Sequence, residues 1–248
     1  MNTGLEAGLW GLVSGSALIL GAAVAWLAPV PQRLIAAIMA FGSGVLISAL
    51  SFELMDEAWH QGGIASSAIG FMGGAMVYTG ANIVLSSRGA RHRKRSQNQP
   101  EPETGSGTAL AVGALLDGIP ESVVIGVSMI RGGAVSWVAV IAIFLSNVPE
   151  GLSSAAGMKK AGRSALYVFG LWGAIALTSG LAAWSGYAVF AGFQPGVIAA
   201  TEAFAAGAIL AMIADTMIPE AFETTRDFAG LITVAGFLAA FTLSKLGG

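Results

Sequence analysis

Cysteine is absent from the 248 residues, which excludes disulfides, thiolate metal ligands and dithiol redox motifs. Charge is scarce: only 10% of residues are Asp, Glu, Lys or Arg, against roughly 25% in soluble domains. Histidine occurs only at His60 and His92, and neither stands in the His-Glu-x-x-His pattern of a zinc metalloprotease. The first residues, Met1 to Glu6, lack a basic stretch ahead of the first apolar run. They are therefore expected to open a span rather than a cleaved signal peptide.

What remains is apolar. The hydrophobic fraction is 55%, the mean hydropathy +0.74 and the glycine count 35, the composition of a polytopic helical membrane protein whose helices approach closely. Eight spans are expected, near 5–28, 34–57, 64–86, 108–130, 134–157, 165–190, 197–221 and 227–246, each close to the ~20 residues needed to cross. Together they form one all-α transmembrane domain over 1–248. Only the 87–107 connection is long. It carries Arg88, Arg91, Arg93, Lys94 and Arg95 ahead of a Gln/Asn/Pro/Glu/Gly/Ser stretch, and such polar composition is expected to be disordered.

Lys and Arg set the orientation. With the N-terminus outside, ten of the twelve fall on inner loops and only Arg131 and Lys245 outside. Both termini are thus expected outside, in the cytoplasmic membrane of the cell. The basic loop reads as a topology signal touching anionic lipid, not as a nucleic-acid site. An internal repeat is also present. Ala40-Phe41-Gly42 and Glu57-Ala58 recur as Ala203-Phe204-Ala205 and Glu220-Ala221 at an offset of 163, and Pro120-Glu121 recurs as Pro149-Glu150 at an offset of 29. Spans two and seven, like four and five, cross in opposite directions, so the repeat is inverted (3+2+3), an architecture of secondary transporters.

The polarity that a bilayer should exclude lies in spans four and five. Asp117 and Glu121 are four apart and share a helix face, as do Ser146 and Glu150 with Asn147 beside them. Pro120 and Pro149 free the carbonyls of Leu116 and Leu145. Three unpaired carboxylates at the midplane cost roughly 8–10 kcal/mol. All twelve Lys and Arg lie in loops or at span ends, so a bound cation is the expected partner. The candidate metal residues are Asp117, Glu121, Asn147, Glu150 and Ser146. Asp215, Glu53, Glu220 and Glu57 are candidate pathway residues.

At these positions the chain resembles the ZIP (Zrt/Irt-like) family of divalent metal transporters. The likeness rests on the paired Pro-Glu motifs, the long third loop and the Phe-x-x-Gly…Glu-Ala pattern of spans two and seven, preceded by proline in span seven. It implies a carrier with a metal site between spans four and five. Spans one, four, five and six would rock against a wall of two, three, seven and eight, through which a homodimer would form. It implies no prosthetic group; the divalent metal (zinc, manganese or iron) is cargo. By motif position Asp117 stands where the family has His, Gly118 where it has Asn, and Ser146 at the first ligand of span five. Asp215-Thr216-Met217-Ile218-Pro219-Glu220 occupies the His-Glu-x-x-Pro-Glu positions of span seven. A donor set without imidazole suits harder ions such as Mn²⁺ or Fe²⁺, and deprotonated carboxylates imply slower transport at low pH. The alternatives are a proton-coupled carrier of another solute and a non-transporting metal sensor of the same fold. An intramembrane enzyme is not expected.

Overall fold

The computed structural model describes residues 2–99, 101, 107–132 and 135–247, and every regular element among them is helical. In chain order these are α1 (Thr3–Leu27), α2 (Gln32–Ala49), α3 (Met55–Ser87), α4 (Gly107–Gly132), α5 (Trp137–Lys160), α6 (Ala165–Phe190), α7 (Pro195–Met212), α8 (Ile218–Thr225) and α9 (Ala229–Gly247). The starts follow local chemistry. Asn2, Ser136 and Ser164 each accept a hydrogen bond from a first-turn amide of α1, α5 and α6, and Pro195 opens α7. Pro120 and Pro149 lie inside α4 and α5 without ending either helix.

Six helical stretches are long and apolar enough to cross a membrane: Thr3–Leu27, Gln32–Ser87, Gly107–Ile130, Trp137–Lys160, Ala165–Phe190 and Pro195–Leu246. The chain is built as a membrane protein. Two of these stretches run to 56 and 52 residues, about 80 Å each if straight, and both are broken. The first breaks at Gly63, with φ 69° and ψ −179°, a conformation open essentially to glycine alone. The second breaks at Arg226, with φ 34° and ψ −94°. The same two stretches contain π-helical turns, at Leu50–Leu54 and Ile213–Met217, 163 residues apart like the sequence repeat.

Glycine sets the helix crossings. A Cβ on Gly74 of α3 would lie 1.8 Å from the Phe204 carbonyl oxygen of α7, and one on Gly207 of α7 1.9 Å from that of Phe71 in α3. Gly44 of α2 and Gly236 of α9 face each other's helices in the same way, through the Thr233 and Phe41 carbonyls. In the other half of the molecule α1 packs on α5 and α6, and α4 on α6. One core gathers α2, α7 and the π turns around Met39, Ile209, Met212 and Met217. A second joins α1, α4, α5 and α6 around Leu18, Leu152 and Trp172.

One expectation is corrected. Residues 88–99, in the stretch expected to be disordered, form a 3₁₀ turn at Ala90–His92 and fold onto the ends of α3, α4, α5 and α8. Ala90, Arg93, Lys94, Ser96 and Gln99 are buried there. Residues 100 and 102–106, also in that stretch, lie outside the described residues.

Candidate functional site

The site is built on the middle of α4 and α5. The four-residue spacing puts Asp117 and Glu121 on one face of α4, and Glu150 approaches from α5. All three carboxylates are at most 4% exposed. Their partner is not missing. Lys94 Nζ donates to Glu150 Oε1 at 2.6 Å and lies 3.5 Å from Asp117 Oδ2. Arg93 grips Asp117 with both arms, Nε to Oδ2 and Nη2 to Oδ1, each at 2.8 Å. This overturns the expectation that no lysine or arginine reaches these acids. A position in a loop does not keep a side chain out of the core when the loop itself folds inward.

The network extends from there. Tyr78 donates to Asp117 Oδ1 at 2.8 Å, and Arg93 Nη2 donates to the Tyr78 hydroxyl at the same distance. Arg93 Nη1 donates to Asn82 Oδ1 at 2.9 Å, and Asn82 Nδ2 donates to Asp215 Oδ2 at 3.0 Å. Burial works against the charged guanidinium, but Asp117, through its charge and its hydrogen bonds, outweighs that penalty. It pushes Arg93 above the usual arginine range. Glu220 of α8 is buried and accepts from the Ser96 amide at 3.0 Å and from the Ser96 hydroxyl, with Ser153 Oγ 3.1 Å away. Arg95 pairs with both Glu220 and Glu223.

Glu121 differs from its neighbours. It lies within electrostatic reach of Glu150, Lys94 and Asp117, yet its Oε1 has no hydrogen-bond partner among the described residues. A small cavity is lined by Asp117, Asn147, Glu150, Arg93 and Lys94, with Leu18 and Trp172. Asn147 therefore faces the cluster, although its amide donates to the Ser14 carbonyl of α1 at 3.1 Å. Ser146 does not line this cavity. Its hydroxyl donates to Ile143 O at 2.9 Å within its own helix, and its backbone lies against Gly42 of α2. The candidate ligand Ser146 therefore stands apart from the carboxylate cluster, its side chain turned back along its own helix.

The candidate pathway residues divide. Glu220 joins the buried network, and Asp215 touches it through Asn82 while remaining exposed. Glu53 and Glu57 lie at the other end of α4, in a cavity of about 280 Å³ that also takes in Gln61, Ser128, Ser136 and Glu202. Glu53 accepts from Ser244 Oγ at 2.6 Å and Ser136 Oγ at 3.4 Å; Glu57 accepts from Gln61.

The sequence reading missed Arg93, Lys94, Tyr78, Ser153, Ser154 and Glu202. A signal for the first two existed: five basic residues in eight exceed what topology needs, and Ser153, Ser154 and Gly157 line one end of α5 with groups small enough to receive a backbone. Among the described residues no three His, Asp or Glu side chains are arranged to hold a metal ion. The Lys94 ammonium stands between two of the acids, Asp117 and Glu150, and the Arg93 guanidinium covers Asp117. The sequence matches no family model and no characterised protein.

Proposed function

We propose that the chain is a divalent-cation carrier that works by alternating access, with Asp117, Glu121 and Glu150 as its central site. One observation carries the reading. Asp117 and Glu150, from two different proline-containing helices, converge on a single cationic group, the Lys94 ammonium. A pair of carboxylates that shares one centre of positive charge can share a metal ion, which carboxylate, amide and backbone oxygens suit well. Asn147, on the same cavity, would complete the oxygen set. The likeness of the Pro-Glu motifs to ZIP transporters supports the same reading.

In this reading each of the two broken stretches crosses the membrane twice, turning at Gly63 and Arg226, for eight crossings in all. The termini and the cavity of Glu53 and Glu57 face outside, and residues 88–99 face the cytoplasm. The π turns 163 residues apart and the paired crossings of α3 with α7 and α2 with α9 support an inverted repeat. Such a repeat lets one half of the fold close as the other opens. No catalytic step is proposed.

The test is transport by purified protein in proteoliposomes loaded with a dye sensitive to Mn²⁺, Fe²⁺ or Zn²⁺. Flux is expected in the native protein and is expected to be lost in Glu121→Ala and Glu150→Ala. Undiminished flux in Glu150→Ala would sink the site assignment. Glu121 favours a second reading, since a buried carboxyl with one oxygen unpartnered among the described residues suits a proton relay. A proton-coupled carrier of another solute would show acid-stimulated flux with no metal requirement.

A further inference from the structure

Arg93 and Lys94 are held as a cargo would be held, yet they belong to the chain. Their backbone is received as carefully as their side chains. The Arg93 carbonyl accepts from Ser154 Oγ at 2.6 Å and from Gln99 Nε2 at 3.2 Å. The Lys94 carbonyl accepts from Ser153 Oγ at 2.8 Å, and the Arg95 carbonyl from Gln99 Nε2 at 2.7 Å. Two glycines leave the room. A Cβ on Gly157 would stand 2.1 Å from the Arg95 carbonyl oxygen, and one on Gly113 2.5 Å from Arg93 Cδ. Asp117 receives two parallel N–H groups from Arg93, which a carboxylate can do and an imidazole cannot.

We propose that residues 88–99 are a tethered occupant of the cation site: Arg93 and Lys94 neutralise the carboxylates in the cargo's place, and a divalent cation binds by expelling them. The inference rests on the carrier reading above. Its physical core is charge equivalence. Arg93 and Lys94 together bring two positive charges into a buried cluster, and one divalent ion brings the same. Exchanging one for the other leaves the cluster's net charge unchanged. A monovalent ion would bring one charge fewer and leave one of the two paired carboxylates, Asp117 or Glu150, uncompensated in a medium of low dielectric. The segment thus selects for charge as well as blocking the site. It also ties the two helix groups together, since Arg93 joins Tyr78 and Asn82 of α3 to Asp117 of α4. Relative motion of the groups requires that this grip open.

The experiment combines hydrogen–deuterium exchange of the detergent-solubilised full chain with flux in proteoliposomes, using Mn²⁺ and Zn²⁺ as probes and K⁺ as the monovalent control. Saturating Mn²⁺ or Zn²⁺ is expected to speed exchange of the 93–96 amides by about tenfold or more, while K⁺ at equal ionic strength leaves it unchanged. Gly157→Ala pushes the segment out without touching a carboxylate. It is expected to exchange fast with no cation present and to carry divalent ions faster than the native chain at low concentration. Lys94→Met removes the competing charge while leaving the backbone docking, and is expected to bind divalent ions at least about threefold more tightly. If native protein carries the cation while exchange at 93–96 ignores it and Lys94→Met binds no tighter, the tethered-occupant inference is overturned and the carrier reading stands. If neither the native chain nor either variant binds or carries a divalent ion, the carrier reading fails and this inference falls with it.

Discussion

The two ends of α4 present the same kind of residue in opposite circumstances. At one end Glu53, Glu57 and Glu202 line a cavity of about 280 Å³ beside the π turn at Leu50–Leu54. At the other, Asp117, Glu150 and Glu220 are buried, each held by a basic side chain of residues 88–99. The first end meets its acids with space and serine hydroxyls, the second with the protein's own cations. The difference shows that neutralising an acid buried among apolar helices does not require a bound ion. A long enough loop can return to supply the charge. It also shows that two groups of acids along one helix need not be equivalent, because the segment that neutralises one has no counterpart at the other among the described residues.

Substitutions that strike the closed end should therefore cost more than those at the open end. The largest effect is expected for Asp117→Ala, which strands the Arg93 guanidinium at 2% exposure. Breaking a buried pair from one side costs about 3–5 kcal/mol, to be seen as a lowered unfolding temperature in detergent. A change no larger than that of Glu53→Ala would erase the contrast between the ends. Next comes Glu220→Ala, which removes the acceptor for the Ser96 amide and hydroxyl and the partner of Arg95. About 2 kcal/mol is expected, with faster amide exchange confined to the neighbourhood of Ser96. At the open end Gly63→Ala strains a backbone position whose surroundings are otherwise empty, for roughly 1–2 kcal/mol. A melting curve identical to that of the native chain would mean that the turn relaxes freely. The smallest stability change, within about 0.5 kcal/mol, is expected for Glu57→Gln, an exposed site. Its effect should appear in transport instead, as a fall of up to about tenfold in initial flux at low cation concentration and low salt.

The helical skeleton was legible in the sequence. Apolar runs near the bilayer thickness marked the long helices, and the break expected between the spans at 34–57 and 64–86 falls on Gly63. Asp117 and Glu121 on one face follow from helix periodicity alone. The occupant of the site was not legible. Lys94 meets Glu150 across 56 residues and Arg93 meets Asp117 across 24. No periodicity links such partners, and a run of Arg and Lys in a polar loop has the composition of a solvated surface. Serine was equally silent. Ser146 and Ser153 lie on the same helix, yet one bonds within that helix and the other holds the Lys94 carbonyl.

The sequence by itself determined that this chain is a bundle of apolar helices with carboxylates in the middle of two of them. Those features depend on residue type and on spacings within single helices, where a few local rules act. Only the tertiary structure decided what neutralises the carboxylates. That choice is made by Coulomb attraction between residues far apart in the chain, and it is realised only once folding has brought residues 88–99 to the ends of α4 and α5.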